Sequence, residues 1–391
     1  MRVVMNGLAA LKPKTGIGHY VARLHAEMGD EVALYPGDSR ARVIRRCLSL
    51  ANGGGGSGKP GRMGSLVPAF KGLLKHLGKT AVEIHFARHC RALGYQLYHE
   101  PNFIPFATGL PTVVSAHDLS VLLHPEWHPA DRVRHHERHF GPALRRAEHI
   151  LTLTHEVRRE LIDHLGVKPN KITPVWIGVG DEFRPLPPQE LEVARERLKL
   201  PPRYFLCVGT IEPRKNILTV LKAFADLPAN VRESCPLVLA GPWGWKSEPE
   251  REFLAAHPAG VIRLGYVSAA DLPAIYGGAT ALLFPSHYEG FGLPPVEMLA
   301  CGGGVIASNS SAAVREVVGR HAAFVETTDV ASWREVLHRT ATDRDFEAEL
   351  RRGGTAHARQ FTWKRAATET LAVYRQVLGL KPTAVPVRWA A

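Results

Sequence analysis

Four charged side chains in two short segments are the chemically capable residues of this chain. Glu289 and Glu297 lie in Phe284-Pro-Ser-His-Tyr-Glu-Gly-Phe-Gly-Leu-Pro-Pro-Val-Glu-Met-Leu-Ala-Cys-Gly302. Arg214 and Lys215 lie in Tyr204-Phe-Leu-Cys-Val-Gly-Thr-Ile-Glu-Pro-Arg-Lys-Asn216. In the first segment Gly290 and Gly292 let the backbone approach a ligand closely and take up positive φ. Pro294 and Pro295 suit the first turn of a helix. A helix therefore begins just past the loop, with unpaired N–H groups aimed at whatever the loop holds, and a phosphate suits that place. Glu289 precedes this helix and Glu297 lies inside it, so the two reach different ends of one ligand. Carboxylates beside a phosphate make sense as acceptors for sugar hydroxyls, and the segment reads as a nucleotide-sugar site.

In the second segment a strand runs into Gly209, and Arg214 and Lys215 follow in the loop before the next helix. A guanidinium fork and a mobile ammonium together suit the oxygens of a diphosphate. They would stabilise the charge that grows on a departing nucleoside diphosphate. Alone, an adjacent Arg-Lys pair is ordinary solvated surface; the 284–302 segment gives it meaning.

Weaker signals come from the first half. Thr15-Gly-Ile-Gly-His-Tyr20 reads either as a ligand-facing turn at Gly16 or as a plain tight turn. Ser115-Ala-His-Asp-Leu119 ends a buried strand, which places His117 where ligands bind in α/β sheets. Contact of its imidazole or backbone carbonyl with the transferred sugar is preferred to general-base duty, and Asp118 is expected to orient the turn. Asp343-Arg-Asp345 has metal-clamp spacing but begins a charged helix, so it reads as an acidic helix N-terminus. No metal site and no cofactor are expected. Arg214, Lys215 and helix N-termini would supply the positive field.

These residues need a scaffold. At 391 residues the chain is long enough for two domains. Candidate strands in the first half are residues 2–6, 31–35, 96–99, 112–117, 150–153 and 172–176. In the second half they are 204–208, 237–240, 261–264, 281–284, 304–307 and 322–325. Continuous apolar runs separated by helical patterns indicate parallel sheets covered on both faces. The expected class is α/β, with two doubly wound Rossmann-like domains facing across a cleft. The expected division is 1–180, 181–362, and a final segment at 363–391. Proline crowds the junction between Gly178 and Pro202, and Pro382 and Pro386 mark a loose tail. Residues 51–64 have flexible-linker composition. They read as a tolerated or engineered insertion or as a mobile lid, flanked by basic amphipathic helices at 42–50 and 66–77.

The net charge is +12, nearly all of it in residues 1–180. That asymmetry implies an anionic partner of the first half, such as lipid headgroups or a diphosphate carrier. Nucleic acid is not expected, since no aromatic-rich basic sheet or helix-turn-helix pattern appears. A peripheral contact with an anionic membrane through residues 42–46 and 71–91 would suit a lipid-linked acceptor. The five cysteines are scattered, and the start of the chain reads as a strand. A cytoplasmic protein with free thiols, working near the inner face of the membrane, is the expectation.

Together these segments resemble the GT-B glycosyltransferases of family 4, which are retaining and use nucleotide sugars. The resemblance is densest over residues 204–318, in Val208-Gly-Thr-Ile-Glu-Pro-Arg-Lys-Asn216, Gly265-Tyr-Val267, Phe284-Pro-Ser286 and the Glu-x7-Glu pair. Pro125-Glu-Trp127 and 115–119 add looser support. It implies that Glu289 contacts the donor sugar and Glu297 the ribose. The loop of Gly290, Phe291, Gly292 and Leu293 would supply N–H groups, and backbone near Val267 would meet the base. It also implies a last helix, from near Phe361-Thr-Trp363, that crosses back to the first domain. Thr210 stands where many members carry arginine, which rests the phosphate clamp on Arg214 and Lys215. The pattern is most similar to bacterial mannosyltransferases of surface-polysaccharide assembly. The expected reaction is metal-independent transfer of a hexose, leaning to mannose from GDP-mannose, to a glycan or lipid-linked acceptor. A silent nucleotide-sugar binder and a nucleotide-sugar epimerase are the alternatives.

Overall fold

The computed structural model describes residues 1–11, 16–37, 67–257 and 259–381, with backbone alone for 67–79. Thr15, the linker-like stretch at 51–64, the basic segment at 42–50 and the prolines of the tail lie outside the described residues.

Two six-stranded parallel sheets form the frame. The first holds β1 (Val3–Asn6), β2 (Val32–Tyr35), β3 (Leu97–Glu100), β4 (Thr112–Ala116), β5 (His149–Thr152) and β6 (Ile172–Pro174), in the order β2-β1-β3-β4-β5-β6. The second holds β7 (Phe205–Val208), β8 (Leu237–Ala240), β9 (Val261–Gly265), β10 (Ala281–Phe284), β11 (Gly304–Ser308) and β12 (Ala323–Val325), in the order β12-β11-β10-β7-β8-β9. All twelve strands fall within a residue or two of the positions expected from apolar runs. Those runs are legible because most strands are buried on both faces; β4, β8, β10 and β11 have no exposed residue at all.

The order of the second sheet fixes where its crevice opens. The chain enters at β7, winds outward through β8 and β9, then returns to the other side of β7 with β10. Strand order reverses between β7 and β10, whose pairing runs Ala281↔Phe205 and Leu282↔Leu206. In a doubly wound sheet that reversal opens a crevice beyond the carboxyl ends of the two strands. The loops after β7 and β10 are the ones that carry Arg214, Lys215 and Glu289.

The last helix, Trp363–Val377, begins at Thr362, whose side chain caps the Arg365 amide. It buries Trp363, Ala366, Ala367, Thr370, Leu371, Val373 and Tyr374, a stripe of helical period. That stripe packs on the first helix, Gly16–Met28, so this helix belongs spatially to the first sheet. Polar contacts fix it there. Arg375 pairs with Glu31 at 3.0 Å. The Tyr374 phenol hydrogen-bonds His99 Nδ1 at 2.6 Å, and His99 Nε2 hydrogen-bonds Ser115 Oγ at 2.8 Å, which also meets the Tyr20 phenol at 3.1 Å. Burial, with the nearby His117 adding, pushes His99 down to about 3. It is neutral, with one nitrogen to donate and one to accept, as this chain of bonds needs.

A buried polar group that loses its hydrogen-bond partner carries its full desolvation cost, about 1–3 kcal/mol. Tyr374→Phe is expected to lower the unfolding free energy by that amount while leaving the helix docked, as measured by urea denaturation with far-ultraviolet circular dichroism.

Candidate active site

The loop after β10 is built to hold one carboxylate rigidly. Its far end is Gly292 (φ +100), which caps the helix Leu293–Ala300, with Pro294 and Pro295 in the first turn. Asn216, at the end of the 3-10 turn Pro213–Lys215, donates to the carbonyls of Pro285 at 3.1 Å and Thr327 at 2.8 Å. The His287 amide donates to Arg214 O at 2.9 Å. The loops after β7 and β10 are thus stitched together through backbone.

Between them sits Glu289, 9% exposed. One of its oxygens accepts from Arg214 Nη1 and the other from Lys215 Nζ, each at 2.6 Å. Burial would raise this carboxyl, but the two cations outweigh burial and hold it at about 2. Burial also works against the charge on Arg214, yet Glu289, Asp118 and Glu212 around it keep it firmly cationic.

The cations differ in what they have left to give. A guanidinium has five N–H donors. Arg214 directs Nε and Nη2 to Glu212 at 3.2 and 2.9 Å, and Nη1 to Glu289 and to the Tyr288 carbonyl. It is largely committed as a strut. Lys215 has three donors and directs one to Glu289. Its ammonium lies 5.0 Å from the Phe284 ring centre and beside Gly209, where a Cβ would come within 3.9 Å of it.

Glu297, on the helix Leu293–Ala300, accepts from the Tyr276 phenol at 2.8 Å. Burial raises its carboxyl to about 7, the Tyr276 bond opposing and Glu182 adding to the rise. The two glutamates of the pair therefore sit at opposite ends of the carboxylate range, one held ionised and one poised.

His117 follows β4 and is buried. Its Nε2 donates to the Pro101 carbonyl at 2.7 Å, and burial holds the ring below its usual pKa. Tyr20 and Phe103 pack edge-on against it at 4.9 and 5.4 Å. Its backbone carbonyl meets the loop after β10, since a Cβ on Gly290 would stand 1.8 Å from that oxygen. Asp118 turns the chain as expected, accepting from the amide and hydroxyl of Ser120.

Not every expected residue joins this cluster. Gly16 begins its helix at an exposed position, and a Cβ there would meet open space. Val267 is half-buried just beyond β9, next to the 74% exposed Tyr266. Phe291 is buried edge-on to Phe361 at 5.8 Å. Asp343 is a helix cap that accepts from the amides of Asp345 and Phe346. Sequence reasoning missed Glu212, Tyr276 and Tyr288. Glu212 was within reach, two residues before Arg214. Nothing in the spacing ties Tyr276 to Glu297.

Two family models match the chain, Glycosyltransferase Family 4 over residues 17–183 and Glycosyl transferases group 1 over 188–357. The O-antigen chain mannosyltransferase B of Escherichia coli is 34% identical over 282 residues, covering 71% of this chain and 74% of that protein. The chain belongs to glycosyltransferase family 4. The serotype-specific mannosyltransferase WbdA of Escherichia coli is 30% identical over 267 residues, but the chain spans only 32% of its length. Among solved structures, Anabaena Alr3699/HepE in complex with UDP and glucose superposes with a TM-score of 0.71 at 16% identity, covering 97% of this chain and 100% of that one. WaaG, a glycosyltransferase involved in lipopolysaccharide biosynthesis, superposes at 0.68 and 15%, covering 95% and 99%. These structural likenesses establish the GT-B fold.

Because Glu289 is held at about 2 in the folded protein, its ion pairs contribute stability above its ordinary carboxylate pKa and lose it as pH falls toward 2. Breaking such a pair from one side costs about 3–5 kcal/mol. Glu289→Gln is expected to lower unfolding free energy by that order at pH 6. The gap to the parent should narrow at pH 3, as read by denaturant titration at both values.

Proposed function

We propose that this glycosyltransferase moves a hexose from a nucleotide-sugar donor to a hydroxyl of a glycan or lipid-linked acceptor. The reading takes the reaction to keep anomeric configuration and to need no metal ion, with mannose from GDP-mannose as the first donor to test. The observation that carries it is the buried Glu289 carboxylate, kept ionised by Arg214 and Lys215 at the reversal point of the second sheet. A permanently charged acceptor suits neutral sugar hydroxyls, and its cation neighbours suit a diphosphate. The mannose lean draws on the two mannosyltransferase relatives.

In this reading Glu289 accepts from donor-sugar hydroxyls and Glu297 from the ribose. Lys215, with donors to spare, and the N-terminal turn at Leu293 meet the diphosphate, while Arg214 holds Glu289 in place. The bond from the anomeric carbon to the phosphate oxygen breaks, and the acceptor oxygen bonds to the same face of that carbon. The departing phosphate oxygen takes the acceptor proton. The neutral His117 fits a contact with the sugar through its carbonyl or ring better than proton abstraction, since its Nε2 is engaged at Pro101. Growing charge is met by Lys215 and by backbone N–H groups, so no metal is assigned a step.

In this reading the basic first half meets an acceptor on an anionic surface, at the inner face of a membrane. Among the described residues no helix is long and apolar enough to cross one, so this contact would be peripheral.

Diphosphate release from GDP-mannose, UDP-glucose and ADP-glucose identifies the donor. Turnover that survives excess EDTA is expected; loss on chelation and return with Mg²⁺ would overturn the metal-free reading. The phosphates of a nucleotide sugar do not titrate near neutrality, so they leave Glu297 visible. Ribose hydroxyls favour its ionised form, so donor affinity should rise as pH passes upward through about 7 and then level. Glu297→Gln should flatten that profile in calorimetric titrations between pH 5.5 and 8.5.

A further inference from the structure

Tyr288, the residue before Glu289, belongs to the second half by sequence but reaches into the first. Its ring is buried, and its phenol oxygen accepts from the Leu119 amide at 3.0 Å and donates to Glu160 Oε2 at 2.5 Å. Leu119 lies two residues past His117, and Glu160 lies on the helix His155–Leu165. One oxygen thus satisfies a buried donor and a buried acceptor of the opposite half. Glu289, the next residue, turns back to Arg214 and Lys215. Consecutive side chains of one loop are anchored in the two halves of the molecule.

The surrounding backbone admits little slack. The Tyr288 carbonyl accepts from Arg214 at 2.9 Å. The Gly290 carbonyl accepts from Thr154 Oγ1 at 3.1 Å, and Thr154 is also the N-cap of the Glu160 helix. The amides of His155 and Glu156, in that helix's first turn, donate to Glu316 of the second half, each at 3.0 Å. The helix therefore meets the second half at Tyr288, Gly290 and Glu316; Tyr288 and Gly290 flank the site carboxylate in sequence, and of these two only Tyr288 makes its contact through a side chain.

We propose that Tyr288 is a positioning residue for glycosyl transfer: its phenol, docked between the Leu119 amide and the Glu160 carboxylate, sets the donor loop and Glu289 in register with the His117 side of the cleft. The proposal rests on the reading that Glu289 holds the transferred sugar. Tyr288 touches no reacting atom in this scheme. It acts by making closure of the halves and orientation of Glu289 one event.

The test uses the full chain, with GDP as binding probe and whichever of GDP-mannose, UDP-glucose and ADP-glucose the parent turns over. Tyr288→Phe keeps the ring and removes the oxygen. GDP affinity, a property of the second half, should stay within about threefold. Turnover at saturating donor should fall about 10- to 100-fold, the scale on which small misplacement of a reacting group acts. The radius of gyration with GDP, from small-angle scattering, should exceed the parent's. Glu160→Gln retains an acceptor and should keep turnover within a few fold, whereas Glu160→Leu should reproduce the Tyr288→Phe loss. The Tyr288→Phe/Glu160→Leu double variant should be no worse than either single one. Parent-like turnover in Tyr288→Phe, with Glu289→Gln inactive alongside, overturns the positioning role alone. Parent-like turnover in Glu289→Gln, or no release from any of the three donors by the parent, overturns the underlying reading and this proposal with it. Equal losses in Glu160→Gln and Glu160→Leu, or a drop in GDP affinity matching the drop in turnover, overturn the role in favour of a general folding defect.

Discussion

A carboxylate that is 9% exposed and held at about 2 can exist only because two cations share it. Removing a charge from water costs several kcal/mol even after the surroundings relax. Arg214 and Lys215 offset that cost from two directions, and Glu212 in turn steadies Arg214. Much of the second half serves this arrangement. Asn216 ties the cation loop to Pro285, and Gly292 turns the chain into the next helix. The β7/β10 reversal puts both loops over one crevice.

The second carboxylate has the opposite environment. Glu297 has the Tyr276 phenol beside it, and burial dominates, so its carboxyl rises to about 7. Two glutamates eight positions apart thus differ greatly in acidity, because two cations hold one ionised while burial dominates at the other. One carboxylate of the pair is permanently charged and the other conditionally so.

Much of this was legible in the amino-acid sequence, for physical reasons. Strands buried on both faces read as apolar runs, so β4, β8, β10 and β11 announced themselves. The glycines, prolines and glutamates of 284–302 were legible because turn chemistry and helix starts have strict residue requirements. The opposite orientation of neighbouring side chains was not legible. Nothing in Tyr288-Glu289 says that one enters the first half and the other the second. The pairing of both cations with Glu289 was equally hidden, because it depends on β7 and β10 lying side by side. Tyr276 reaches Glu297 through a helix packing that no local pattern encodes. Gly16 shows the converse, a glycine singled out by pattern whose position is open.

The closing helix, Trp363–Val377, also constrains how such proteins can be recombined. It follows the second sheet in the chain, yet it packs on the helix Gly16–Met28 and ties to His99 of β3 and to Glu31 just before β2. A chimera made by grafting everything after the proline-rich stretch near Gly178–Pro202 would bring a foreign closing helix onto a native first sheet. Exchange is cleaner with two crossover points, one near Gly178 and one near Phe361, where Val179 N already donates to Phe361 O at 3.0 Å and the chain passes itself. The transplantable module is an internal segment and not a terminus.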